Sequence, residues 1–186
     1  MGKIGENNAS FLNNLRGIFV SDSFFALIEL KEWESFFNTS LDKFCFRLGG
    51  ETIVEKMNEN HKSGVDYIKT NQTKILTTIL LEVLKHYPKW QEKYGYDEDD
   101  EKDIMPNIST INDFANLIMP KRIHILSVYS DDFPYIGYDF DCTWDDEHGL
   151  GIMMLKDKIV KIGGGDISFL NWVAEEDRDK TNNSPE

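Results

Sequence analysis

The sequence of 186 residues predicts an α+β domain: an antiparallel β-sheet ending in a C-terminal meander, with one long helix packed on a face and shorter flanking helices. Two changes of period predict it. Between residues 64 and 90 the apolar positions Val65, Ile68, Ile75, Leu76, Ile79, Leu80, Val83 and Tyr87 recur at three- and four-residue spacing, the mark of a helix with one buried face. From Arg122 onward the period falls to two, as in strands whose side chains alternate between faces. The length suits a single core. We expect one domain over residues 1–178 and a disordered polar tail over 179–186, which holds no apolar anchor.

The elements follow in order. The apolar run 24–30, with 31–37 after it, is read as strand, although its period does not separate strand from helix. Residues 44–48 alternate and stop at Gly49-Gly50, a strand and its turn. Residues 57–64 are polar and read as loop. Ser63 is placed to cap the long helix, and Pro88 to weaken or end it. The run 97–103 is nearly all acidic, self-repelling and solvated. A short helix follows, with Thr110 and Asp113 spaced as a capping box and Pro120 as its stop. Ile123 and Ile125 alternate with His124, Leu126 and Val128, which predicts a central strand covered on both faces. Next, Ile136, Tyr138, Phe140, Cys142 and Trp144 share one side, while Gly137, Asp139, Asp141 and Thr143 share a side expected to be wet. Turns at 145–149 and 156–158 complete the meander, the N-terminal strands should join the same sheet, and 167–174 should form a short helix.

A formal charge of −13 argues against nucleic acid and anionic membrane surfaces, both of which are recognised by clustered Lys and Arg. It favours long-range attraction to a basic protein partner. Cys45 and Cys142 fit neither a disulfide framework nor a CxxC pattern, and are expected to be reduced and buried. The polar start 1–17 lacks the basic end and apolar run of a secretory signal, and no stretch approaches membrane-spanning length, so a cytoplasmic location is expected.

One segment is unusually dense: Cys142-Thr143-Trp144-Asp145-Asp146-Glu147-His148-Gly149-Leu150-Gly151. Together with Gly163-Gly164, Asp166, Phe169 and the closing Trp172-Val173-Ala174-Glu175-Glu176-Asp177, it resembles a family of uncharacterised bacterial domains. Its members end in similar Cys-Thr-Trp-Asp-Glu-Glu-His-Gly-Leu-Gly and Gly-Gly-Ala-Asp patterns. Here Asp146 replaces the more usual Glu and Gly165 the usual Ala. Some members look like immunity proteins encoded beside polymorphic toxins, and the resemblance implies that role by analogy.

Read from the residues, the signature turn Trp144, Asp145, Asp146, Glu147, His148 and Gly149 allows three chemistries. Asp145, Glu147 and His148 could ligate a divalent ion, although counting from Asp139 puts Trp144 and Leu150 where an EF-hand needs Gly and Glu. A carboxylate with His148 could do acid–base work in a cleft. Alternatively the turn is structural: Asp145 or Asp146 accepts backbone N–H groups, Gly149 supplies a positive φ, and Trp144 continues the core face. The glycine run 163–165 could cradle an anion, but Asp166 is placed to occupy it. No GxSxG elbow, P-loop or GxGxxG occurs.

The expected function is therefore that of a non-catalytic intracellular binding protein, with no cofactor. A basic toxin is the partner the resemblance suggests. Tyr94, Tyr96, Asp97, Glu98, Asp99, Asp100 and Glu101 form the expected partner-binding surface, with Trp33 and Trp90 as further exposed aromatic candidates. A metal-assisted hydrolase or small-ligand binder using the Asp145 to His148 turn is the alternative, and a scaffold domain with a purely structural signature is the third.

Overall fold

The computed structural model describes residues 18–20, 23–41, 43–95 and 104–183. Seven strands form one sheet in chain order: β1 (Ile18–Val20), β2 (Ser23–Ile28), β3 (Phe44–Leu48), β4 (Ile118–Ser130), β5 (Phe133–Cys142), β6 (Leu150–Leu155) and β7 (Lys158–Gly163). The N-terminal strands thus join the sheet of the meander. The sheet is mostly antiparallel, as expected, with β3 and β4 as its one parallel pair. The reason lies in the connection between them, which is long enough to hold two helices and return the chain to the end of the sheet it left.

Those helices are α2 (Glu59–Thr70) and α3 (Gln72–Tyr94); α1 (Lys31–Phe37) precedes them and α4 (Asn171–Asn182) closes the chain. The segment 31–37 is helix because Trp33 and Phe37, four residues apart, bury the same face, and Asn38 stops it in the left-handed region. The helical period expected from 64 to 90 covers two helices, broken at Asn71. The first starts earlier, so residues 59–64 are helix and not loop. Asn58 caps it by accepting from the His61 N–H at 2.8 Å, while Ser63 bonds back to the Asn60 carbonyl. Pro88 does not end α3, which runs to Tyr94 and Gly95. The buried Tyr87 and the partly buried Trp90 pack on either side of that proline, and this packing outweighs the lost backbone bond.

The 3-10 helix Ile111–Asn116 carries the expected Thr110–Asp113 capping box. Pro120 is not its stop; it lies inside β4 next to a bulge, where a strand tolerates proline. At the C-terminus a 3-10 turn, Gly165–Ser168, leads into α4, so the helix expected over 167–174 runs on through four residues of the expected tail. Among the described residues no helix is long and apolar enough to cross a membrane.

The sheet has two faces. The first carries Phe46, Ile123, Ile125, Tyr138, Phe140 and Ile152 and is covered by residues of α1, α2 and α3, among them Trp33, Val65, Ile68, Ile79 and Val83. The second carries Leu126, Val128, Tyr135 and Met153 under Ile167, Val173 and Ala174 of the 3-10 turn and α4. Because that turn lies on β5, the face expected to be wet is largely covered. Gly137 and Asp139 are buried, and of the residues expected there Asp141 is the exposed one. A Cβ at Gly137 would fall on the Ser168 carbonyl, so only glycine lets the turn approach this closely.

Candidate functional site

Nearly every residue of the signature makes a structural contact. Trp144 is 3% exposed, stacked on Trp90 with centroids 5.9 Å apart and edge-on to Tyr87 at 5.4 Å, as the alternation of its strand predicts. Thr143 donates through its hydroxyl to the Ile104 carbonyl at 2.6 Å, and its N–H to the Leu117 carbonyl at 2.9 Å. Asp145 accepts from the Tyr94 hydroxyl at 2.7 Å, from the His148 backbone N–H at 3.0 Å, and pairs with His148 Nδ1 at 2.9 Å. Burial raises the Asp145 carboxyl, but these donors outweigh it and hold it below the usual carboxylate range. The Gly149 N–H donates to the Asp145 carbonyl at 2.8 Å; its φ is +68°, and a Cβ there would meet the Phe140 carbonyl oxygen at 2.6 Å. The His148 carbonyl in turn accepts the Gly165 N–H at 2.9 Å. The motif is a clasp that ties the end of α3, the β5–β6 turn and the glycine run into one corner.

Asp145, Glu147 and His148, the residues that could have ligated a divalent ion, do not come together as a set. Asp145 and His148 face each other, and among the described residues no group of three or more His, Cys, Asp or Glu side chains comes together to hold a metal ion. His148 is exposed, and its hydrogen bond to Asp145 raises its pKa. Asp166 makes no cap hydrogen bond at the glycine run; the buried carboxylate beside Gly165 is that of Asp139. Trp33 is 1% exposed, which removes it as a surface hot spot; its indole N–H donates to the Gln72 carbonyl at 2.9 Å. Trp90 is partly buried, and Tyr94 reaches the clasp. Tyr96, Asp97, Glu98, Asp99, Asp100 and Glu101 lie outside the described residues. Of the cysteines, Cys142 is buried as expected and Cys45 is half-buried; both are free thiols.

Two arrangements are absent from the sequence reading. In the first, His61 Nε2 lies 3.2 Å from Ser127 Oγ and 3.1 Å from the Tyr129 hydroxyl. It looks like a nucleophile and its base, but the tautomer is wrong. Nδ1 accepts the Asn58 N–H at 3.3 Å, so the proton of the neutral ring sits on Nε2, and burial keeps the ring neutral. Nε2 therefore donates and cannot take the serine proton; the group pins α2 to β4.

The second arrangement lies on the second face, beside the part covered by α4. Arg47 of β3 is opposite His124 of β4, which is opposite Gly137 of β5; two residues earlier on β4, Arg122 is opposite Asp139. His124 is 1% exposed, neither ring nitrogen has a hydrogen-bond partner, and the Phe169 ring lies 5.4 Å away. Burial, then Arg122 and Arg47, depress its pKa to about 3. Burial raises the Asp139 carboxyl to about 6 against the pull of Lys121 and Arg122. Alternation could have placed His124 in the sheet, but its meeting with Arg47 depends on the parallel pairing, for which no local signal exists.

This is a mixed α and β domain built on one mostly antiparallel sheet, with a dense signature that serves as a structural corner. The chain belongs to the family described as Domain of unknown function (DUF6985), whose model matches residues 24–170. Neither the curated proteins nor the solved structures contain a match to it.

Proposed function

We propose that the chain is a non-catalytic cytoplasmic binding protein that recognises a basic protein partner through an acidic surface at the signature corner. The observation that supports this reading is that both ends of the acidic segment 96–103 are tied to the signature. On one side Tyr94 donates to Asp145; on the other the Ile104 carbonyl accepts from Thr143. The sequence between those two tied ends holds Asp97, Glu98, Asp99, Asp100, Glu101 and Asp103, and the clasp itself exposes Asp146 and Glu147. On this reading the signature corner and the acidic residues next to it in sequence form the recognition element, and their carboxylates steer a cationic partner. An immunity protein that covers a basic toxin is the finer form of the proposal, motivated by the sequence resemblance and by the charge of −13.

The test is affinity capture from the native host at low and high salt, with the wild-type chain and one neutralised by Asp→Asn and Glu→Gln changes over 97–103. A partner captured at low salt, lost at high salt or on neutralisation, and bound again when purified supports the proposal. If whatever is captured binds both chains equally at either salt, the acidic surface is not the recognition element.

A further inference from the structure

We propose that His61 is an acid-sensitive latch: taking up a second ring proton breaks the cap of α2 and frees its first turn from β4. The latch is a closed ring of hydrogen bonds. The Asn58 N–H donates to His61 Nδ1 at 3.3 Å, the His61 N–H donates to Asn58 Oδ1 at 2.8 Å, and Asn58 Nδ2 donates to the Tyr129 hydroxyl at 2.8 Å. That hydroxyl and Ser127 Oγ lie 3.1 and 3.2 Å from His61 Nε2, which carries the proton of the neutral ring. Both ring nitrogens are thereby engaged, Nδ1 as an acceptor. A proton added at Nδ1 would point at the Asn58 N–H, donor against donor, and both bonds of the capping box join these two residues.

The surroundings give the added charge no partner. His61 is wholly buried. From β4 it meets Ser127, the backbone of Leu126 and the Tyr129 ring, whose centroid is 5.8 Å away, and from the residue before α2 it meets Asn58. None of these is a carboxylate. On α2 itself the neighbouring charges, Glu59 and Lys62, are paired with each other at 2.6 Å. Burial therefore lowers the pKa of the ring below 6.5, against the Leu126 backbone bond, which raises it. An imidazolium is accommodated only where water reaches it, so the turn opens as it charges. The opening ends at Gly64. A Cβ there would meet Pro134 at 2.8 Å and Ile125 at 3.2 Å, so this close approach keeps the rest of α2 seated on β4 and β5. The latch and the acidic corner depend on different residues, so either can fail alone.

The experiment is amide hydrogen exchange by NMR on the full chain between pH 7.5 and pH 5.5, for wild type and His61→Gln, with each rate divided by that of the unstructured chain at the same pH. Glutamine at this position still reaches back to the Asn58 N–H but does not titrate. In the wild type, protection of the His61 and Lys62 amides, which both bond to Asn58, should fall by up to about tenfold over that range. The cause is one proton taken up by the opened turn, where the ring returns toward its ordinary value of 6.5. These amides should also exchange faster than those of the buried Ile79 and Val83 in α3, which report opening of the whole fold. In His61→Gln the fall should vanish. Wild-type protection that does not change with pH, or first-turn amides that exchange only at the rate of α3, overturn the proposal without reference to the variant. A fall retained in full by His61→Gln overturns it as well.

Discussion

The two faces of the sheet are filled by different kinds of residue. Under α1, α2 and α3 the strands present Phe46, Ile123, Ile125, Tyr138, Phe140 and Ile152, so burial of apolar surface accounts for the choice of side chain at those positions. On the opposite face the same strands present Leu126, Tyr135 and Met153 beneath α4, and then, within the same register, Arg47, Arg122, His124 and Asp139. Packing explains the first set. It does not explain the second, because a buried histidine without partners and a carboxyl held protonated to about pH 6 both work against folding. The lesson is that chemistry in this domain is better sought where burial and polarity coincide than in the segment richest in charged residues.

Trp144→Ala removes a ring packed against Trp90 and Tyr87 on the first face and should cost about 3–5 kcal/mol in urea unfolding. Gly137→Ala probes the second face. The added methyl meets the Ser168 backbone, so the 3-10 turn must move, at a cost of about 3 kcal/mol. Were this face wet, as its alternation of Gly137, Asp139 and Asp141 implied, the substitution would be nearly harmless, and an unchanged urea midpoint would return β5 to that description.

The pH dependence of stability divides the polar set. His124 has a folded pKa of about 3 against 6.5 unfolded, so its contribution is complete above pH 6.5 and is lost as pH falls toward 3, because the unfolded chain then takes up a proton that the fold refuses. Asp139 has the opposite sign: its pKa rises from 3.8 to about 6, so its contribution is complete below pH 3.8 and is lost as pH rises through 6. Between pH 4 and 6 the two oppose each other, and His61, lowered by burial, adds to the loss on acidification. Asp139→Asn should therefore steepen the acid-side loss by about 1.4 kcal/mol per pH unit over that window. His124→Phe should remove its share and add about 1 kcal/mol of stability at pH 7, where the orphaned ring nitrogens are the cost. Denaturant midpoints at pH 4, 5, 6 and 7 decide both, and parallel profiles for wild type and Asp139→Asn would show that Asp139 titrates as it does unfolded.

The legible parts of the molecule were those with a local period. The burial of β4 on both faces, the two turns of the meander and the Thr110–Asp113 cap follow from spacing alone. Where the reading failed, the deciding contact was distant. Pro88 stays in a helix because of packing around Tyr87 and Trp90, to which the distant Phe114 and Trp144 contribute. The supposedly wet face of β5 is covered because a turn 28 to 31 residues further along lies on Gly137. Within the signature, Gly149 and Trp144 were assigned correctly from the strand and the turn, and Asp145 appeared as an acceptor of backbone N–H groups. Its bond to Tyr94 spans 51 residues and had no signal in the chain.

The smallest expected change in stability carries the most weight for function. Asp146 and Glu147 are exposed at the tip of the clasp, between an Asp145 that is fully engaged and a Gly149 whose backbone cannot change. The double substitution Asp146→Asn with Glu147→Gln should leave the urea midpoint within about 0.5 kcal/mol of wild type, because no named structural mechanism is touched. If the corner receives a basic partner, the same pair of changes should slow association and flatten its salt dependence with little effect on dissociation, since charges at the rim of an interface act through steering. An unchanged association rate would leave those two carboxylates as ordinary surface charge and confine any recognition to the acidic residues of 97–103.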